Sequence, residues 1–279
     1  MQKKFIYQSA EISYRTEGKG QAVVLLHGFG EDSDIWNAQV DFLKEHCLVI
    51  VPDLPGSGQS GRLSLELEVG SREFIYETTP NYISIDDYAD CIHALLIHEN
   101  ISSCALLGHS MGGYITVAFA EKYPSLLNSF GLIHSTAFAD SEEKKKNRQK
   151  GIAFIQQYGA HAFLKTSIPN LFAANFKENH PEKINELISK AAGFTKETLQ
   201  QYYRAMMARP DRTQVLVSNP LPVLFVMGTE DAAVPFSETI QQTYLPDKSY
   251  IHVLPNAGHM SMWEAPEKLN RFILDFLNR

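Results

Sequence analysis

Short, unbroken apolar runs recur along this chain, with helical stretches between them. Ala22–Leu26, Leu48–Val51, Cys104–Leu107, Phe130–Ile133 and Val223–Met227 each hold four or five residues without a polar break. A strand covered on one face alternates in polarity, whereas one covered on both faces is apolar throughout. The segments between them, Ser33–His46, Ser84–His98 and Met111–Lys122, have helical period, so the chain is expected to be an α/β protein with a mainly parallel sheet. Ser33 is the expected N-cap of the first helix, and Ser84 with Asp87 is placed like a capping box for the second. Phe5–Gln8 and Glu11–Thr16 read as an opening antiparallel pair. A helix near Ser237–Tyr244, a strand Tyr250–Leu254 and an amphipathic helix Pro266–Leu277 are expected to close the fold.

Between about Ser135 and Ser218 the alternation stops. Ser141–Lys150, Ile152–Tyr158, Ile184–Ala192 and Thr195–Met207 are helical in period, and no strand pattern interrupts them. Some 80 helical residues cannot lie within a parallel sheet, so residues 135–218 are expected to form a cap over one edge of a core made by residues 1–134 and 219–279. One further stretch, Arg62–Tyr82, alternates at Leu63, Leu65, Leu67 and Val69 and reads as either a hairpin turning at Gly70-Ser71 or a long polar loop.

Bulk properties narrow the range of functions. With 44% hydrophobic residues in 279, the chain has ample material for a core, which excludes global disorder. Twenty-five Lys+Arg against 32 Asp+Glu give a net charge of −7, which argues against nucleic acid or an anionic membrane as the main partner. No run approaches the roughly 18 apolar residues of a membrane helix. The opening MQKKFIYQSAEISY has two lysines and no apolar segment behind them, so no signal peptide is expected. Cys47, Cys91 and Cys104 are odd in number and form no CxxC pair, which suits a reduced, cytoplasmic protein.

The strongest chemical signal is Gly108-His109-Ser110-Met111-Gly112, set between an apolar strand and a helix. A serine there sits on a sharp strand-to-helix turn, with the unpaired N–H groups of the helix start behind it. Serine needs a base, and the base needs an orienting acid. His259, in Asn256-Ala257-Gly258-His259 after the last strand, is the expected base. Asp231, in Gly228-Thr229-Glu230-Asp231, is the expected acid, with adjacent Glu230 its rival. The order Ser, Asp, His is the one that sheet-based triads use. Donors for an oxyanion are expected from the backbone N–H groups of Phe29, in His27-Gly28-Phe29-Gly30, and of Met111. His27 reads as a residue that holds this loop.

Other patterns are set aside. Gly56-Ser57-Gly58-Gln59-Ser60-Gly61 matches G-x-G-x-x-G, but it follows Pro55 and opens no helix, so no dinucleotide is expected. No HExxH, EF-hand or clustered His/Cys spacing is present, so neither a metal nor any other cofactor is expected. Glu142–Lys150 holds five basic and two acidic residues and reads as a solvated helix face, with Glu142 and Lys146 as an i,i+4 pair. The cap region is rich in Phe154, Tyr158, Phe163, Phe172, Phe176, Tyr202, Tyr203, Met206 and Met207. Of these, Phe154, Phe163, Phe172, Tyr202 and Met206 are taken as candidate substrate contacts.

With these residues placed, the whole chain resembles the α/β-hydrolase superfamily: HGFG, DLPGSGQS at Asp53–Ser60, GHSMGG, a helical cap, GTEDAAVP and NAGHM follow in its order. The resemblance implies an eight-stranded, mostly parallel sheet flanked by helices, with the active site between core and cap. It is closest to the esterase, lipase and carbon–carbon hydrolase branch, and Arg62–Tyr82 departs from that pattern at one pocket wall. The resulting expectation is a serine hydrolase acting on an ester or similarly activated small molecule. Ser110 in place of a carboxylate argues against haloalkane dehalogenase and epoxide hydrolase activity. A non-hydrolytic synthase of the menaquinone-pathway type resembles the chain too, but it usually carries an arginine directly after the GG, where Tyr114 stands here; an arginine-poor pocket would weigh further against it. A binding protein on the same fold is the remaining alternative.

Overall fold

The computed structural model describes residues 1–64 and 82–279. The hairpin or loop expected with its turn at Gly70-Ser71 lies outside the described residues. Eight strands form one sheet: β1 (Gln2–Tyr7), β2 (Ala10–Glu17), β3 (Ala22–Leu26), β4 (Leu48–Pro52), β5 (Cys104–His109), β6 (Leu127–Ile133), β7 (Val223–Gly228) and β8 (Ser249–Leu254). Their spatial order is β1-β2-β4-β3-β5-β6-β7-β8. The β1–β2 and β2–β4 pairs are antiparallel, and every pair from β4 to β8 is parallel.

The apolar runs sit where two-sided burial demands them. All residues of β3, β5 and β7 are buried, whereas β8, at the edge, is only partly covered. Burying each Val, Leu or Phe of these central strands contributes roughly 1.5–3 kcal/mol. The covering layers come from α1 (Asn37–Leu43), α2 (Ile85–His98), α3 (Met111–Lys122) and the closing amphipathic helix Pro266–Leu277. Ser84 and Asp87 do form a reciprocal capping box at the start of α2.

The first helix departs from expectation. It opens with a tight 3-10 turn, Ser33–Trp36, and its cap is Asp32, whose side chain accepts the Asp34 N–H at 3.0 Å. Ser33 instead gives its N–H to Asp53 Oδ1 at 2.9 Å, a partner twenty residues away.

Between β6 and β7 the chain runs through α4 (Glu142–Tyr158), α5 (Ala160–Ser167), α6 (Ala174–Asn179), α7 (Pro181–Lys190), α8 (Lys196–Ala208) and α9 (Thr213–Ser218). Ser141–Lys150 and Ile152–Tyr158 are one continuous helix, capped by Ser141. It passes through Gly151 because a Cβ there would stand 2.6 Å from the Tyr203 ring of α8, on which α4 packs. After β7 the expected helix is shorter than its pattern: α10 (Phe236–Thr239) gives way to a 3-10 turn, Ile240–Gln242.

Candidate active site

The parallel strands deliver Ser110, His134, Asp231 and His259 at or just past their C-terminal ends. β5 ends at His109, and Ser110 follows with φ 51° and ψ −115°, in a region that L-residues rarely occupy and that costs about 1–3 kcal/mol. Glycine makes the turn possible. A Cβ on Gly108 would collide with the Gly112 carbonyl, and one on Gly112 would stand 2.6 Å from the Leu26 oxygen. The turn is pinned from both sides: Ser110 N–H donates to Ile133 O at 3.0 Å, and Ser110 O accepts from Gly113 N–H at 2.9 Å and Ser135 Oγ–H at 2.7 Å. Phe29, on the loop after β3, and Met111, first residue of α3, both have backbone N–H groups with no acceptor among the described residues.

His259 and Asp231 meet as their loops predict. His259 Nδ1 lies 2.8 Å from Asp231 Oδ2, and both side chains are buried. Asp231 Oδ1 accepts the N–H groups of Ala233 and Val234 at 2.9 and 2.8 Å. Burial pushes the Asp231 carboxyl up, but His259 and His134 outweigh it and hold it well below the usual carboxylate range. Burial likewise pushes the His259 ring down, yet the facing Asp231 carboxylate outweighs it and leaves the ring above its ordinary 6.5. Ser110 and His259 border one cavity, and no hydrogen bond joins their side chains in this conformation.

Glu230, the rival acid, has another task. Its carboxylate accepts the Ala174 N–H of the segment between β6 and β7, at 3.2 Å. A similar tie comes from Glu264, which accepts N–H groups of Ala173, Gly258 and Met260 at 2.9 to 3.1 Å. His259 N–H donates to Leu171 O at 2.6 Å. The His259 loop is thus fixed between the sheet and the overlying helices.

Three buried groups at the site are assigned no role by the sequence, although one of them, His109, lies within the Gly108–Gly112 motif. His134, just past β6 at φ 50°, places Nδ1 3.0 Å from the same Asp231 oxygen. Burial takes this ring down to about 4 despite Asp231, so it is neutral and donates through Nδ1, while its buried Nε2 has no partner among the described residues. Glu31 Oε2 accepts Gly28 N–H at 2.6 Å and faces His109 Nδ1 at 3.0 Å. Burial raises the Glu31 carboxyl, but His109 and the Gly28 N–H more than reverse this and keep it ionised. His109 Nε2 in turn lies 2.9 Å from the His259 carbonyl, so both of its nitrogens face oxygens that only accept. His27 behaves as the sequence suggests: Nδ1 faces Gly28 O at 2.9 Å and Nε2 accepts Leu54 N–H at 2.9 Å, holding the loop.

The cavity beside Ser110 has a volume of about 140 Å³. Of the candidate substrate contacts only Met206 borders it. Tyr202 is wholly buried with its hydroxyl on Pro55 O at 2.9 Å, and the adjacent Tyr203 faces the cavity instead, stacked on Phe29 at 4.3 Å. Phe154 packs on Tyr158 and Phe163, Phe163 edges onto Phe29, and Phe172 stacks on Phe176, so these three serve packing between helices. Leu164, Ser167, Ile168 and Leu171 supply the wall they were expected to form. The solvated reading of Glu142–Lys150 also needs correction: Glu142 pairs with Lys145 and Lys144 with Glu238, while Arg148 turns inward to border the cavity. The pocket is therefore not free of arginine.

Among the described residues one trio has donor atoms close enough to hold a metal ion, His134, Asp231 and His259. Both rings present Nδ1 to a single Asp231 oxygen at hydrogen-bond distance. That pattern satisfies two N–H donors and leaves no shared vacant point at the roughly 2.0–2.2 Å a transition metal requires.

Known proteins agree with this architecture. The profile of the Alpha/beta hydrolase family matches residues 23–272. The dihydrolipoyllysine-residue acetyltransferase component of the acetoin cleaving system of Pseudomonas putida is 30% identical over 264 residues. The match takes in 93% of this chain but only 64% of that protein's length. A 2-hydroxy-6-oxononadienedioate/2-hydroxy-6-oxononatrienedioate hydrolase of Burkholderia vietnamiensis is 27% identical over 291 residues, covering 96% of this chain and 91% of that one. A solved structure of a thermophilic esterase from Thermogutta terrifontis, with malate bound, has a TM-score of 0.88 at 29% identity and covers 100% of this chain and 98% of that one.

Proposed function

The chain belongs to the alpha/beta hydrolase family, and from that premise we propose that it is a serine hydrolase acting on a small carboxylic ester through Ser110, His259 and Asp231. One observation carries the reading: the strained Ser110 shares a cavity with a histidine whose ring is held by a buried, ionised aspartate. In the reaction, Ser110 Oγ attacks the substrate carbonyl as His259 Nε2 takes its proton. Asp231 fixes the tautomer and stabilises the imidazolium. The unpaired N–H groups of Phe29 and Met111 bind the oxyanion, a contribution of about 3–4 kcal/mol per donor in such sites. His259 then protonates the leaving oxygen, and the same ring activates the water that releases the acyl group.

Residues 135–218 act in this reading as a cap that closes the site from above, with Leu164, Ile168, Tyr203 and Met206 as its apolar wall. Three unpaired, buried cysteines suit a cytoplasmic setting. A second reading, cleavage of a carbon–carbon bond next to an activated carbonyl, is favoured by the relation to the oxononadienedioate hydrolase and uses the same three residues. A panel of p-nitrophenyl esters from C2 to C12, run beside a vinylogous diketone, separates the two. Ser110→Ala should fold normally and lose roughly 10⁴–10⁶-fold in kcat, and a fluorophosphonate should label Ser110. Activity within tenfold of the wild type would sink the assignment.

A further inference from the structure

The cavity beside Ser110 holds an arginine whose charge is only partly matched. Arg148, on α4, sends Nε to Asp140 Oδ2 at 2.6 Å and Nη2 to Oδ1 at 3.3 Å. Asp140 is shared, because Arg209 Nη1 reaches the same Oδ1 at 2.8 Å. One buried carboxylate thus faces two guanidinium groups, and the trio keeps a net charge of +1. Arg209 is buried, stacked 3.7 Å over the Tyr114 ring and hydrogen-bonded to the Met206 and Phe138 carbonyls, with its Nε left without a partner among the described residues, and it does not border the Ser110 cavity.

Arg148 is different. Its Nη1 has no acceptor among the described residues, and the side chain borders the cavity that Ser110 and His259 also border. Tyr203 flanks the guanidinium, with the ring centroid 5.5 Å from Cζ. The carboxylate on the cavity wall, Glu31, already has the Gly28 N–H and His109 as partners. A guanidinium with one edge fixed by a carboxylate and donors left over is pre-organised for a second anion, because its donors form a rigid fork suited to carboxylates. Leaving that charge unmatched in a partly enclosed cavity is costly, and a ligand carboxylate would offset it.

We propose that Arg148 is the specificity residue of this cavity and that the substrate carries a free carboxylate, seated on the Arg148 guanidinium while the scissile carbonyl lies at Ser110. The inference rests on the reading of Ser110 as nucleophile, and it deepens that reading by naming an anionic substrate class.

Two matched ester pairs test it. Mono-p-nitrophenyl glutarate against p-nitrophenyl valerate places the charge on the acyl side; 4-acetoxybenzoate against 4-acetoxybenzamide places it on the leaving group. In at least one pair the wild type should favour the anionic member by tenfold or more in kcat/KM. Arg148→Gln should lower that member about ten- to a hundredfold, the worth of a charge-assisted hydrogen bond, chiefly through KM. The neutral member should stay within threefold, and Arg148→Lys should recover part of the loss. Absence of preference in both pairs overturns the proposal, as does an equal fall of both members in Arg148→Gln. A binding measurement separates this from failure of the hydrolase reading: glutarate should bind the Ser110→Ala protein at least tenfold more tightly than the Ser110→Ala, Arg148→Gln protein, whether or not any ester is turned over. Equal glutarate binding by the two also overturns it.

Discussion

Replacing His134 by Asn should reduce this protein's loss of stability in mild acid. The substitution suits the position, since Asn keeps a short N–H donor for Asp231 and tolerates the left-handed φ of 50° better than most residues. In the folded wild type, burial holds the His134 ring at about 4, against an ordinary 6.5, with Asp231 pulling the other way. Between those values the unfolded chain binds the proton and the folded chain does not. Stability is therefore full above pH 6.5 and falls as the pH drops toward 4. From pH 7.5 to 4.5 the loss assigned to this one ring is on the order of 2 to 3 kcal/mol.

Other groups titrate with different signs or in other windows. His259, held above 6.5, contributes stability below that value and loses it as the pH rises through its folded value, so it acts on the alkaline side. Asp231 and Glu31, both held down, lose their contribution only below their ordinary values of 3.8 and 4.5. Glu264 and Asp32, pushed up by burial, gain stability toward acid, and do so in both proteins. The difference between wild type and His134→Asn therefore isolates His134. Urea unfolding at pH 7.5 and 4.5, followed by tryptophan fluorescence with Trp36 wholly buried, supplies the four free energies needed. The variant should lose on the order of 2 to 3 kcal/mol less than the wild type between the two pH values. An equal loss would refute the neutral, donor-only role of His134.

Three further outcomes follow from the site. Asp231→Asn should lower kcat by about 10⁴-fold, whereas Glu230→Gln, which loses its charge but keeps an oxygen for the Ala174 N–H, should cost less than tenfold; equal losses would mean that the wrong carboxylate has been assigned to His259. The kcat/KM profile should rise with pH as His259 deprotonates, with its midpoint above 6.5 because Asp231 stabilises the protonated ring. EDTA should leave that profile unchanged, and a loss restored by zinc or manganese would contradict the metal-free mechanism. Tyr203→Ala and Met206→Ala should shift the preferred acyl chain length, at about 0.8 kcal/mol per CH₂ gained or lost, while Phe154→Ala, away from the cavity, should not. An unchanged preference in both cavity variants would place the acyl pocket elsewhere.

What could be read from the sequence was whatever local pattern decides. Ala22–Leu26 and Met111–Lys122 end in the structure where their patterns end, since two-sided burial and helical period leave little choice. Ser110 was legible because glycine at 108 and 112 and an apolar strand before it permit one turn only. Long-range partners decided the rest. Asp32 displaced Ser33 as a cap because Asp53 claims the Ser33 N–H. Tyr202 and Tyr203 are chemically alike and about 100° apart on α8, so only the seating of that helix tells which ring faces the cavity. Arg148 was hidden in a run of charges that reads as a wet surface. Yet Lys144, one turn earlier on the same face of α4, already reaches Glu238 of the core, and that turn carries Arg148 to the cavity.

The acid of the site shows why two chemically identical rings on one carboxylate can have opposite roles. His259 and His134 both present Nδ1 to Asp231 Oδ2, at 2.8 and 3.0 Å, and both are buried. Burial penalises the charged form of each. For His259 the attraction of Asp231 is reinforced by the negative charges of Glu31 and Glu264, and together they leave the ring above its ordinary value. For His134 no further carboxylate opposes burial, while His259 and His109 add repulsion, and the ring stays neutral. The ring that borders the Ser110 cavity is therefore the easier of the two to protonate. The other ring acts as a fixed donor that shares the burden of keeping Asp231 ionised. Such a division needs no difference in residue type, only an uneven distribution of acids around two histidines. Glu31 and Glu264, neither of which touches Asp231, thus act on His259 by their field as well as by the loops they hold.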